Sequence, residues 1–442
     1  MPCRFIDYTG RDNWPEVKKW LMERENPDTS VEEPVRAILA EVQEEGDDAL
    51  VRWTRKFDCP EFTADQLRVP ARDLKQALEE IPAEDLAIIR EAADNIRAFH
   101  ENQKQKSWVT THEDGTVLGQ MVRPMDRAGL YVPGGQGGET PLVSSLLMNA
   151  IPAQVAGVER ILVISPPRRN GTLNPYILAT AGLLGLEEVY QCGSAWGVAA
   201  LAFGTPTIDP VDVIAGPGNI FVTTAKRFLV GKVGIDMIAG PSEIAILADA
   251  TANPEHLAAD MLSQAEHDPL ASALLISSDR NLLTRTQAAL AEQTARLPRN
   301  EIAAESLTKW GGMIAVPDLD TGMDLINLLA PEHFELAVDT PWAWLGKVRN
   351  AGAVFLGHNA AEPVGDYFAG PNHVLPTLST ARFSSALSVD TFCKKISLIA
   401  PSASYVGKHG AKIARMARLE ALEAHARSVE QRYSGSTAPP KK

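Results

Sequence analysis

The chain has 442 residues, 45% of them hydrophobic and 22% charged, with a formal net charge of −14. That length exceeds one ordinary core and calls for two or more domains. The acidic balance and scattered basic residues exclude a general nucleic-acid or anionic-membrane binder.

Residues 1–110 read as mostly helical, because 31–57 and 83–105 carry apolar residues at three- and four-residue spacings. The texture changes from about 117. Strands are predicted at 129–133, 160–167 and 187–193, with a strand and loop at 211–219. Helices are predicted between them at 140–157, 174–185 and 195–204. A second series predicts strands at 243–250, 272–279, 311–318 and 351–357. Its helices are 253–268 and 280–297, and 324–336 begins as a helix. Alternating apolar strands and helices signal parallel βαβ units. The fold expected is α/β, with two Rossmann-like doubly wound units. An N-terminal segment (1–27) precedes them, and a C-terminal helical extension (386–442) follows. Residues 28–130 together with 244–385 form the first α/β domain, and 131–243 the second. In the extension, 410–433 reads as one long charged amphipathic helix and 436–442 as a frayed tail.

The four cysteines, Cys3, Cys59, Cys192 and Cys393, form no CxxC pair and suggest no disulfide framework. Such usage fits free thiols in a reducing, cytoplasmic compartment. The N-terminus lacks a basic start followed by an apolar core, so no signal peptide is expected. No apolar run reaches about 18 residues, so no membrane span is expected.

The chemistry centres on nine histidines. Gln264 and His267 stand at i, i+3 and share one face of a helix. A glutamine oxygen beside an imidazole makes sense if both point at a cation. The ordinary alternative is a surface imidazole with a polar neighbour. Glu332 and His333 form a Glu–His dipeptide just after Pro331, at an element boundary. Histidine takes a proton near neutral pH and a carboxylate activates water, so the pair suits proton transfer. An exposed polar pair at a helix end would read the same way.

Asp366 and His373 lie in a Gly- and Pro-rich loop, 362–377, of the kind that carries sites in α/β proteins. Turn chemistry is its ordinary alternative. His425 follows Glu420 by five residues on the C-terminal helix, so the two do not share a face. Gln264, His267, Asp366 and His425 make an N/O ligand set that suits zinc, and softness alone admits manganese or cobalt. The glycine-rich turns 131–140 and 216–219 precede helices and suit phosphates. Neither is a GxGxxG fingerprint with an acidic residue about 20 positions on, so NAD binding and a plain tight turn both remain open.

Taken together, ordered segments resemble the histidinol dehydrogenase family along almost the whole chain. They are GLYVPGG (129–135), LMNAIPAQVAGV (147–158), VDVIAGPGN (211–219), VGIDMIAGPSE (233–243) and LSQAEHDP (262–269). APEHFEL (330–336), VGDYFAGPNHVLPT (364–377), TARFSSALSV (380–389) and EALEAH (420–425) continue the match. The resemblance implies zinc- and NAD-dependent oxidation of L-histidinol to L-histidine, in two hydride transfers. It also implies a homodimer whose sites borrow the partner's C-terminal segment. Carried over by position, Gln264, His267, Asp366 and His425 are zinc ligands, and Glu332 and His333 the catalytic pair. Ser242, His333 and Glu420, alongside the metal ligands, match substrate contacts, and Tyr131 and Asn219 match cofactor contacts.

This chain departs from the family's pattern twice. The loop after Gly135 adds about three residues, and Trp196 stands where a glutamine contacting NAD is expected. Trp196 would stack on the cofactor or shield it. No cysteine occupies a catalytic motif, which rules against a thiohemiacetal route. A related zinc and NAD dehydrogenase acting on another small alcohol, such as a sulfopropanediol, is the second reading. An anionic substrate calls for a cationic side chain that no motif supplies. A scaffold that kept the fold is a third reading, and the retained ligand set and Glu–His pair speak against it.

Overall fold

The computed structural model describes residues 3–25, 29–135 and 138–434. The tail expected at 436–442, and part of the longer loop expected after Gly135, lie outside the described residues.

From the N-terminus come β1 (Arg4–Asp7), α1 (Trp14–Met22), α2 (Glu32–Glu45), α3 (Asp47–Phe57), α4 (Ala71–Glu80) and α5 (Ala83–Glu101). Strands β2 (Trp108–Thr111) and β3 (Val117–Pro124) follow. One α/β series then runs β4 (Arg127–Tyr131), α6 (Val143–Ala156), β5 (Arg160–Ser165), α7 (Pro175–Leu183), β6 (Glu188–Gln191), α8 (Ser194–Phe203), β7 (Val213–Ala215), α9 (Ile220–Leu229) and β8 (Gly234–Ile235). A second runs β9 (Glu243–Ala248), α10 (Pro254–Ala265), β10 (Ser272–Ser277), α11 (Arg280–Thr294), α12 (Asn300–Trp310), β11 (Gly311–Ala315), α13 (Leu319–Leu329), β12 (His333–Ala337), β13 (Ala353–Leu356) and α14 (Glu362–Tyr367). The chain closes with β14 (Cys393–Ala400), α15 (Ala403–Leu419) and α16 (Glu423–Ser434).

Two compact units result, Met1–Gln103 with Met125–Phe392, and Lys104–Pro124 with Cys393–Lys442. The first unit holds two parallel sheets. One has the order β6-β5-β4-β7-β8 and the other β1-β11-β10-β9-β12-β13. Their inner strands are apolar on both faces, as helix-covered parallel strands must be. Leu162 and Ile164 of β5 face one core with α2, α3 and α8, while Val163 faces the opposite core. In the six-stranded sheet, Ile244 and Ile246 pack with α10 and α11, and Ala245 and Leu247 pack with α1 and α13. The second unit is an antiparallel sheet, β14-β3-β2, with helices α15 and α16.

The α/β class and most inner elements stand where the hydrophobic periodicity places them. The differences concern grouping and edges. Residues 31–57 form two helices, because Gly46 adopts φ 57° and breaks the pattern. Val35, Ile38 and Leu50 of those helices pack with Leu162 and Trp196, so they cover the five-stranded sheet and not the sheet that begins at 243. The N-terminal segment supplies β1, which pairs with β11. Residues 104–124 join the C-terminal unit through β2 and β3. The extension expected to be helical contains β14, and its long helix is two, since Ala421 at φ 59° ends α15.

Candidate active site

Helix α13 ends at Ala330, which takes a left-handed φ of 48°, and Pro331 cannot continue a helix. The chain therefore turns into β12, and Glu332 and His333 stand at its start. The expectation that 324–336 begins as a helix holds, because α13 runs to Leu329, but the residues from 333 are a strand between β9 and β13. Both side chains are buried. Glu332 Oε2 accepts from the Glu243 N–H at 2.9 Å. His333 Nδ1 lies 3.1 Å from the Glu243 carbonyl, which places a proton on Nδ1. His333 Nε2 is buried with no hydrogen-bond partner. It faces Asp366 Oδ1 at 3.7 Å and Glu362 Oε1 at 4.0 Å, too far for hydrogen bonds but close enough for strong attraction.

The loop expected around Asp366 contains a short helix, α14, which places Glu362 and Asp366 at i, i+4 on one face. Glu362 is buried, and the Ser263 hydroxyl reaches its Oε2 at 2.7 Å. His333, Glu362 and Asp366 each offer a ligand atom, all within 4.8 Å of one another. His373 Nδ1 lies 3.0 Å from the Asp366 carbonyl.

Burial pushes the Glu332 carboxyl up to about 7, against the pull of His333. Burial opposes a charged His333, but the Glu332, Asp366 and Glu362 carboxylates outweigh it and hold the imidazole up to about 10. Burial would raise Asp366, yet the contact with His333 draws it below the usual range. Burial pushes Glu362 up and His373 down.

Gln264 and His267 do not share a helix face as expected. Helix α10 ends at Ala265, and His267 lies in the turn beyond it. Gln264 is wholly buried, and neither its Oε1 nor its Nε2 has a partner. His267 is exposed, and its Nδ1 lies 2.8 Å from the Ser263 carbonyl, which leaves Nε2 free. His267 also acts electrostatically on Glu362 and His373, so it faces the same cluster. An orphaned amide, a free imidazole nitrogen and an ionised carboxylate fit a cation that takes N and O ligands. Ser242 immediately precedes Glu243, whose backbone holds the Glu–His pair.

Glu420 and His425 belong to the second unit, both exposed. Glu420 caps α15 and His425 lies in the first turn of α16, so a turn at Ala421 between two helices separates them instead of one continuous helix.

Tyr131, Trp196 and Asn219 line one cavity of about 620 Å³ beside the five-stranded sheet. It sits at the carboxyl ends of β4, β6 and β7, where α/β sheets bind ligands. Tyr131 is buried at the end of β4. Gly216 approaches it so closely that a Cβ would lie 2.1 Å from the Tyr131 carbonyl oxygen. The Asn219 carbonyl caps α9 by accepting from Phe221 N and Val222 N, which leaves its NH₂ for a ligand. Trp196 is only 4% exposed. Its Nε1 donates to Thr54 Oγ1 at 3.2 Å, and its ring stacks with Trp53 at 6.2 Å and Phe57 at 5.7 Å.

Glu362 escaped the sequence reading, although Glu-x-x-x-Asp at i, i+4 was its signal. Glu335 and Asp260 escaped as well. They form a buried carboxyl pair beneath the site, with Glu335 pushed well above the usual range by burial and by Asp260. Strand spacing from His333 and helix spacing from Gln264 would have found them.

The family model described as histidinol dehydrogenase matches residues 21–433. The chain is 61% identical to the histidinol dehydrogenase of Oleidesulfovibrio alaskensis, over 98% of this chain and 100% of that protein. It is 59% identical to the one from Nitratidesulfovibrio vulgaris over the same shares. The crystal structure of histidinol dehydrogenase from Elizabethkingia anophelis superposes with a TM-score of 0.91, at 36% identity and covering 99% of both chains.

Proposed function

The chain belongs to the histidinol dehydrogenase family, and from that premise we propose how its residues divide the oxidation of L-histidinol to L-histidine, the last step of histidine biosynthesis. The buried, unpartnered His333 Nε2 carries this reading. A basic nitrogen held by a Nδ1 contact and kept from water is what proton abstraction from an alcohol needs. Gln264, His267 and Asp366, with His425, would hold zinc, which when bound would orient the substrate through its imidazole and amino nitrogens and would offset the carboxylate charge that holds His333 protonated. Tyr131 and Asn219 would hold NAD, with Trp196 shielding the site, and NAD would supply the hydride acceptor.

His333 Nε2 takes the hydroxyl proton as the first hydride leaves the carbinol carbon. Glu332 then takes a proton from water as the water oxygen bonds to the aldehyde carbon. The second hydride leaves the hydrate for a second NAD, and the carboxylic acid formed releases its proton to give the carboxylate. Ser242, beside the Glu–His pair, and Glu420 orient the substrate. Glu420 accepts from its imidazole N–H. Glu420 and His425 come from the second copy of a homodimer. The buried thiols Cys3, Cys59 and Cys192 suit a cytoplasmic enzyme, and among the described residues no helix is long and apolar enough to cross a membrane.

The test supplies purified zinc-loaded protein with L-histidinol and NAD and counts NADH per histidine formed. Two NADH per histidine are expected. Turnover with a sulfopropanediol and none with histidinol would overturn the substrate assignment. No zinc and no turnover with any alcohol would leave a scaffold. His333→Asn should slow the first oxidation, and Glu332→Gln should stall chiefly the second. Equal loss in both half-reactions for Glu332→Gln would remove its water-activating role.

A further inference from the structure

Glu332 and His333 are both tied to the backbone of Glu243, one to its N–H at 2.9 Å and the other to its carbonyl at 3.1 Å. The aim of both side chains therefore depends on where residue 243 sits. Residue 243 is the first of β9 and pairs with Ser272 of β10, whose N–H also donates to the Ser242 carbonyl at 3.1 Å. A side chain from outside the sheet holds this segment as well.

Arg24 does so from 219 residues away in sequence. Its side chain is 2% exposed. Nη1 donates to Glu243 Oε2 at 3.2 Å. Nη2 reaches the carbonyls of Pro241 at 3.3 Å and Ser242 at 3.4 Å. Nε donates to the Leu270 carbonyl at 2.9 Å. Leu270 ends the turn that carries His267 and leads into β10. One planar guanidinium thus ties the segment bearing Ser242 and Glu243 to the segment bearing His267. A lysine has one point charge and cannot span these acceptors.

We propose that Arg24 is a positioning residue for catalysis: by clamping residues 241–243 and 270 it sets the aim of Glu332 and His333. The assignment rests on the Glu–His pair being the acid–base machinery. Arg24 touches neither side chain and acts only through the Glu243 backbone. It also lines a cavity of about 440 Å³ together with Glu243, so a small guanidinium ion has a way to the position its side chain occupies.

The experiment compares zinc-loaded wild type with Arg24→Ala and with the double variant Arg24→Met, Glu243→Gln. Arg24→Ala strands a buried carboxylate and risks unfolding. The double variant removes both charges and stays readable in that event. Expected for folded protein is a fall in kcat of about ten- to a hundred-fold, the scale of a small misplacement of reacting groups. KM for alcohol and NAD, and the zinc content, stay within about two-fold of wild type. Methylguanidinium restores part of kcat in Arg24→Ala and nothing in the double variant, which has no vacancy and no carboxylate to bind it. A folded double variant with wild-type kcat, or a loss confined to KM or to zinc content, overturns the clamp. Wild type silent with histidinol but active on another alcohol defeats the substrate assignment instead, and the same comparison of kcat with KM is then read with that alcohol.

Discussion

Burying both ends of a carboxamide without partners costs about 2–6 kcal/mol, so Gln264 is a costly residue unless a ligand completes it. Gln264→Leu keeps the volume and removes the orphaned atoms. In zinc-free protein it should raise stability by about 1–3 kcal/mol, read as a higher melting temperature in chelator. Zinc retention, read by metal analysis after dialysis, should fall at least about ten-fold. A less stable zinc-free variant would show that the amide is already satisfied, and would undo the metal assignment. Asp58 offers a second test at the cavity lined by Tyr131 and Asn219. Its Oδ2 is buried without a partner, and burial pushes its carboxyl up to about 7. Between about pH 4 and this value the unfolded chain ionises Asp58 while the fold keeps it protonated. Stability therefore falls as pH rises through that window and falls no further above it. Asp58→Asn should stabilise the protein by about 1–3 kcal/mol at pH near 8 and by nearly nothing near 4. An equal gain at both pH values would contradict a titration origin.

At the scale of elements, the site depends on short pieces whose placement is steric. An ideal Cβ on Gly365 would lie 2.7 Å from Phe355 Cε1 and 2.9 Å from Cζ. The Phe355 ring is 6.1 Å from that of His333. Gly365→Ala forces the Phe355 ring or α14 to move, and either shift disturbs the packing that sets Asp366 and His333. Activity should fall about ten-fold or more, whereas Gly346→Ala, with nothing within 4 Å of its Cβ, should leave it unchanged. Wild-type turnover from Gly365→Ala would mean that α14 adjusts freely. The long inner elements were legible because periodicity is a local property: β5, α10 and β10 stand where apolar spacing predicts them. Among the edge strands β6 and β13 were legible too, but β1, β2, β8 and β14 were not. β2 is exposed along its whole length, so no alternation marks it. α14 is too short for a periodic signal, and its buried Glu362 looks polar in sequence.

The whole molecule poses the question of the shared site. If His425 completes the site of a second copy, His333→Asn and His425→Asn dimers should each be inactive. Heterodimers would contain one intact site. After reversible dissociation and mixing, activity should recover to about a quarter of wild type, since half the dimers are mixed and each has one working site of two. No recovery, with subunit exchange verified, would place His425 in the site of its own chain.

The sequence by itself determined the α/β class, the family and the candidate residues, because ordered motifs and apolar spacing are written in adjacent positions. Tertiary structure alone decided which residues meet. Glu243 holds Glu332 and His333 across paired strands, Ser263 reaches Glu362 between helices, and Arg24 clamps 241–243 and 270. Such contacts bridge positions from about 90 to more than 200 residues apart, where no local periodicity carries information.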